Sequence, residues 1–344
     1  MKKKNRWLAP LCFLLLTALT IYIVIRQSKT FTAEGFWAYL RSVHKWGLIG
    51  AALCAAGFVL FEALALKVIC RALGYRFSLC KGIVYASADI YFSAVTPGAS
   101  GGQPASALLM MRDGIPGAVT TVALLLNLMM YAISLFVAIL AGIPFYPQAY
   151  QLFSVPSHIL ILLGVFFQLL LLLAFMLLIF REKIFMRIAD FLLALGQRLH
   201  IVKDAESRRS KFVDIERDYR ACAHMTTSHI GSMVAAMGLN ILHRLSNILV
   251  TVVIYAASGG SVKELGRVFA IQTWVVMGAS SVPVPGSVGV ADYLFLDGYS
   301  GLMEDPVNFE LLSRTISFYA CILVCALVLL LSIALHNRRK KAAE

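Results

Sequence analysis

Apolar residues are gathered along this chain in long blocks. Six of them, at about 7–25, 47–66, 117–141, 157–180, 229–257 and 312–335, run for some twenty residues with few charges. That is the length an α-helix needs to cross a hydrocarbon layer of roughly 30 Å. Each block predicts a spanning helix. Two further apolar regions, 82–113 and 266–300, are interrupted in the middle by "TPGASGGQP" at 96–104 and "PVPGSVGVAD" at 283–292. Each half is too short to cross alone, so both regions are expected to dip into the membrane and return to the side they entered.

Backbone N–H and C=O groups without partners cost several kcal/mol each in hydrocarbon, so broken helices persist only where protein or a wet cavity satisfies them. Pro97 and Pro285 are expected to end the incoming half-helices, and the glycines to permit tight turning. The outgoing half-helices would then aim positive dipole ends at mid-membrane, where an anion such as a phosphate is favoured. Laying the second region over the first so that Pro285-Gly286 falls on Pro97-Gly98 also brings Gly289 onto Gly101. Such a matched pair of Gly/Pro-interrupted segments is the sequence pointer to a transporter binding site; for a single break, an ordinary helix kink would be the simpler reading.

The expected fold is therefore an all-α integral membrane bundle: six spanning helices plus two oppositely oriented re-entrant helix pairs, forming an inverted repeat with halves 47–141 and 229–335. Charge supports an orientation. With the N-terminus cytoplasmic, Lys and Arg number 23 in cytoplasmic parts and 6 in external ones, as the positive-inside rule requires. Both termini then face the cytoplasm of a plasma (inner) membrane protein. The start "MKKKNRW" and the apolar run after it resemble a secretory signal, but the run is long and lacks an A-x-A site, so an uncleaved first span is expected. In the connection 181–228, apolar residues at helical spacing predict an amphipathic helix, either lying on the membrane or packed on the bundle.

The net charge of +13 follows from residues flanking apolar blocks, and no nucleic-acid module is present, so nucleic acid is excluded as a partner. The cysteines form no C-x-x-C pair and the histidines no H-E-x-x-H spacing, so neither metal nor cofactor is expected. Without a Walker-type motif, energy for transport must come from an ion or lipid gradient.

Ionisable groups inside a membrane are functional candidates because each costs at least a few kcal/mol unless paired or hydrated. Asp89 and Asp292 flank the breaks and are candidate coupling residues. Arg244 sits at the centre of helix 229–257 with Asn240, His243 and Asn247 on one face. It could hold a lipid phosphate or pair with Asp89 or Asp292; His243 could be a packing residue or a proton relay. Glu62 and Arg314 fall near predicted helix ends, where snorkelling would suffice. The substrate-binding candidates are Thr96, Pro97, Gly98, Ser100, Gly101, Gly102, Gln103, Arg244, Pro285, Gly286, Ser287, Gly289 and Asp292. A competing enzyme reading takes "GASG" at 98–101 as a rhomboid-like G-x-S-G, with Ser100 as nucleophile and His243 as base. Ser100 is followed by a charge within twelve residues and His243 lacks the expected glycine spacing. A non-enzymatic protein is expected.

At its two broken stretches the chain resembles the transmembrane region of lysylphosphatidylglycerol synthases, the flippase half of the multiple peptide resistance factor family. Where that family tends to have P-x-P-G-G-x-G-x-x-E, this chain has Ser287 and Asp292. The resemblance implies movement of an anionic or aminoacylated phospholipid between leaflets. A synthase domain follows this region in full-length relatives, whereas "HNRRKKAAE" closes this sequence, so translocation rather than synthesis is expected. Membrane phospholipid is the implied partner; a homo-oligomer and a separate lipid-modifying synthase stay open. The alternatives are a non-transporting partner of envelope lipid synthesis and a transporter of another lipid-linked anion such as a polyprenyl phosphate.

Overall fold

The structure, a computed structural model, describes residues 33–180, 229–280, 282, 284–303 and 305–343. The predicted first span 7–25 and the connection 181–228 lie outside the described residues. Every regular element among the described residues is helical: α1 (Ala33–Ser42), α2 (Lys45–Ala72), α3 (Leu79–Val95), α4 (Gly102–Arg112), α5 (Gly117–Gly142), α6 (Val155–Phe180), α7 (Ile230–Ala257), α8 (Leu265–Ala279), α9 (Val290–Tyr299), α10 (Pro306–Arg314) and α11 (Cys321–Ala343), with a π-helical segment, Thr315–Ala320, joining the last two. Five stretches are long and apolar enough to cross a membrane: α2, α5, Val155–Ala174 of α6, α7, and Pro306–Leu335. The protein is a multi-pass membrane protein.

Two boundaries differ from expectation. The block predicted at 47–66 continues to Ala72, because Val68, Ile69 and Cys70 extend the apolar run until Arg71 and Gly74 stop it. The helix predicted at 312–335 begins at Pro306, with Asp305 accepting from the Asn308 amide, an Asx cap followed by proline at the first helical position. Glu62 therefore lies ten residues before the end of α2, and Arg314, the last residue of α10, lies within the continuous helical run Pro306–Leu335. Both are buried, at 7% and 8% exposure. Snorkelling does not account for them.

α2 and α7 pack antiparallel along their length. Gly47, Gly50 and Gly57 of α2 face Ala257, Val253 and Ser246 of α7, the small-residue contact by which backbones approach closely inside a bilayer.

The two interrupted regions fold back as helical hairpins. At the open end of the first, Asp113 after α4 accepts a hydrogen bond from Tyr85 of α3 (2.8 Å) and pairs with Lys81 (3.2 Å). In the second, the Tyr299 hydroxyl at the end of α9 donates to the Val268 carbonyl near the start of α8 (3.0 Å). α5 begins beside the first open end, with Gly117 against Met111, and finishes beside the second, with Gly142 against Ala270. The hairpins thus open toward opposite ends of α5, a helix of about 39 Å at 1.5 Å per residue. Their tips meet. The neighbours are reciprocal as well: α5, which follows the first hairpin, packs on α8 of the second, and α11, which follows the second, packs on α3 of the first.

Candidate functional site

Both tips are built the same way. After an extended residue, Thr96 or Val284, comes a single turn, Pro97–Ala99 or Pro285–Ser287. Gly98 and Ala99 have φ of 62° and 55°, Gly286 and Ser287 of 60° and 52°. Two successive residues in the left-handed region, one of them not glycine, are uncommon for L-amino acids. Their recurrence directly after the matched prolines extends the sequence correspondence to the backbone. At the second tip the incoming helix stops earlier than expected, at Ala279, so Pro285 opens the turn and does not end α8.

At the first tip the hydroxyl of Thr96 donates to the Phe92 carbonyl (2.6 Å) and accepts from the Gly101 amide (2.8 Å). Ser100 donates to the Pro97 carbonyl (3.0 Å). Residues Pro97–Ser100 are exposed. Beneath them, Asp89 accepts from Ser93 (3.2 Å) and from the Gln103 side-chain amide (2.5 Å). Gly102, the first residue of α4, lies so close that a Cβ there would run into Asp89 and Ser93.

The second tip is held by charge. Asp292 accepts from the Gly289 amide (2.9 Å) with one carboxylate oxygen and from Arg314 with the other. Arg314 also donates to the Gly286 carbonyl (3.1 Å), and its Nε lies 3.9 Å from Glu310. Phe318, on the π-helical segment, fills the space beneath Gly286. Such segments occur disproportionately at functional sites.

This changes the expectation that the half-helix ends await an external anion. Asp89 sits against the first turn of α4 and Asp292 caps α9, so a carboxyl of the protein itself already lies at each of these positive ends. Sequence reading missed Arg314 as a member of the site. The Asp-Pro pair at 305–306 was the available signal, since a helix starting there puts Arg314 eight residues deep.

Arg244 is 4% exposed. Its guanidinium lies over the Tyr131 ring, 3.9 Å from the centroid, and its Nε has no hydrogen-bond partner. Among the described residues it pairs with neither Asp89 nor Asp292; Arg314 has taken the latter. His243 donates from Nδ1 to the Phe58 carbonyl (2.6 Å) and stacks on the Phe58 ring (4.1 Å between centroids). Asn240 donates to Asn127 of α5 (3.1 Å), and Asn247 is half-buried. The polar face of α7 therefore stitches helices together at Asn240 and His243, while Arg244, among the described residues, has no carboxylate partner. Ser100 and His243, engaged with separate carbonyls, share no hydrogen bond, and among the described residues no cluster of metal-ligating side chains occurs.

The family model described as lysylphosphatidylglycerol synthase TM region matches residues 11–325, nearly the whole chain. No curated protein matches it.

Proposed function

The chain belongs to the lysylphosphatidylglycerol synthase TM region family, and from this premise we propose that it is a flippase-like transporter, moving an anionic or aminoacylated phospholipid between leaflets of the plasma membrane. The observation carrying this reading is the meeting of two hairpin tips that open toward opposite ends of a spanning helix. Their shared turn and reciprocal neighbours support an inverted repeat, an arrangement that exposes a mid-membrane site alternately to either side, and the distribution of Lys and Arg supports cytoplasmic termini.

In this reading the exposed Pro97–Ser100 turn and the Gly286–Ser287 turn form the walls past which a headgroup travels, and the acyl tails stay in the bilayer. Arg244 supplies the cation. A buried guanidinium without a carboxylate costs several kcal/mol in the membrane, and a lipid phosphate, held by its planar fork, offsets that. Tyr131 stacks on it and Asn240–Asn127 and His243–Phe58 hold its helix in place. A polyprenyl phosphate would present the same phosphate to Arg244.

The test is leaflet exchange of fluorescent phosphatidylglycerol, its lysylated form and a polyprenyl phosphate in liposomes containing the full chain. Acceleration is expected for the first two. Arg244→Ala is expected to weaken headgroup affinity roughly tenfold or more, as for a lost charge-assisted hydrogen bond of about 1.5–3 kcal/mol. Absence of acceleration by the wild-type protein would overturn the reading.

A further inference from the structure

We infer that the first tip binds a monovalent metal cation the size of Na⁺, held by the side chains of Asp89, Ser93 and Gln103 and by the carbonyl of Ala99. Asp89 lies ten residues after the start of α3, on the order of 15 Å from that end. Among the described residues it forms no ion pair with Lys, Arg or His. A carboxylate at such a depth is costly unless a cation or water compensates it. The helix dipoles do not, because the negative end of α3 and the positive end of α4 meet at the tip and oppose each other.

The second tip shows what a cation does in this setting. There Arg314 joins the Asp292 carboxylate to the Gly286 carbonyl of the left-handed turn. The first tip repeats that turn at Gly98 and Ala99 and sets Asp89 beside it, with Ser93 between the carboxylate and the Ala99 carbonyl. A bound ion supplies the missing positive charge and ties acid to turn as Arg314 does.

The oxygens are spaced for such an ion. Ser93 Oγ is 3.2 Å from Asp89 Oδ1 and 3.4 Å from the Ala99 carbonyl oxygen, whereas an ordinary O–H···O bond is about 2.7–2.8 Å long. One hydroxyl proton also cannot serve both acceptors at once. Oxygens at right angles around an ion with ligand distances of roughly 2.3–2.6 Å lie about 3.3–3.7 Å apart. Gln103, whose amide nitrogen reaches the other carboxylate oxygen (2.5 Å), carries an Oε1 that is buried and has no hydrogen-bond partner. The exposed turn Pro97–Ser100 leaves a side from which water completes the shell. Unwound backbone carbonyls beside a half-helix end are a recurrent setting for Na⁺ in membrane proteins.

Charge and size select the ion. Among the described residues no group of three His, Cys, Asp or Glu side chains is placed to hold a metal, and a divalent ion in an all-protein oxygen site gathers several carboxylates. A single carboxylate with neutral oxygens matches a single positive charge. K⁺ needs its oxygens farther apart than these.

The test measures binding of radiolabelled Na⁺ to the full chain in nanodiscs, with K⁺, choline and methylammonium as competitors, and amide exchange with and without Na⁺. Saturable binding is expected, displaced by unlabelled Na⁺ and far less by the other three. Asp89→Asn should weaken it roughly tenfold or more, since ligand charge sets affinity in such sites, and Gln103→Glu, by adding a carboxylate, should let Ca²⁺ compete. Na⁺ should slow amide exchange across residues 97–103 and leave residues 285–289, which Arg314 already holds, unchanged. Absence of saturable binding by the wild-type protein would overturn the inference, as would K⁺ or methylammonium displacing Na⁺ as well as Na⁺ itself does. So would protection that appears away from 97–103, or a folded Asp89→Asn protein that binds like wild type. If Asp89→Asn does not fold, the wild-type exchange pattern still locates the ion. None of these readings requires lipid movement, so failure here leaves the transport reading standing.

Discussion

The two hairpin tips share a backbone and differ in what holds it. Thr96 in the first tip stands where Val284 stands in the second, and the amides of Gly101 and Gly289 each need an acceptor. In the first tip a neutral hydroxyl supplies it (2.8 Å), in the second the carboxylate of Asp292 (2.9 Å). Asp292 is fixed in turn by Arg314, which also donates to the carbonyl of Gly286. One tip is tied to its surroundings by the hydroxyls of Thr96 and Ser93, the Gln103 amide and the Asp89 carboxylate; the other is clamped by a permanent guanidinium. The contrast assigns adaptability to the first tip and anchorage to the second.

The sharpest way to break this comparison is Arg314→Ala, which strands Asp292 and the Gly286 carbonyl. A loss of about 3–5 kcal/mol is expected, as for a buried pair deprived of one partner, read as a lowered melting temperature in detergent, with Arg314→Lys recovering only part. A loss no larger than that of an exposed lysine substitution would refute the clamp. Next in size, Gly102→Ala should destabilise by about 1–3 kcal/mol, since its methyl has nowhere to go between Asp89 and Ser93. Gly238→Ala in α7, where nothing lies within 4 Å of the added methyl, should instead stabilise by about 0.5–1 kcal/mol. Equal effects would mean the packing around Gly102 is loose.

Thr96→Val imposes on the first tip the residue found in the second. It leaves the Gly101 amide without its acceptor, and a loss of about 1–2 kcal/mol is expected, visible as faster amide exchange across residues 97–103. No change there would show that the hydroxyl is dispensable.

The smallest effect concerns the open ends. Burial pushes the Asp113 carboxyl up, but the Tyr85 hydroxyl, Lys81 and Arg112 outweigh it and hold the group below the ordinary aspartate value. A depressed folded value means that the stabilisation is present above the ordinary pKa and disappears as pH falls through the folded one. Asp113→Asn should thus lower stability at neutral pH, and the gap from wild type should close under acid. At the other open end the contact from Tyr299 to Val268 involves no group that titrates there. A gap that persists at low pH would count against the Asp113 clamp.

Much of this architecture is legible in the chain because bilayer thickness imposes a length on apolar runs, and because proline and glycine within such runs stand out against it. The two breaks, their shared turn and the hairpin form all follow from that. Boundaries are harder. Polar residues inside a membrane helix read as its end unless a cap says otherwise, which is why the pattern puts Glu62 and Arg314 at helix ends; only the Asp305-Pro306 signal points to a longer helix. The pairing of Arg314 with Asp292, and of Gln103 with Asp89, joins residues on different helices. It depends on how α3, α4, α9 and α10 pack, and local pattern carries no such information.

The sequence by itself determined a membrane-spanning helical protein with two interrupted hairpins, since hydrophobic length and backbone conformational preference are properties of short segments. The tertiary structure alone decided which charge meets which. In a low-dielectric interior the partner of each ionisable group is set by the few ångströms separating helices, and that leaves Arg314 paired with Asp292, Asp89 held by Ser93 and Gln103, and Arg244, among the described residues, without a carboxylate partner.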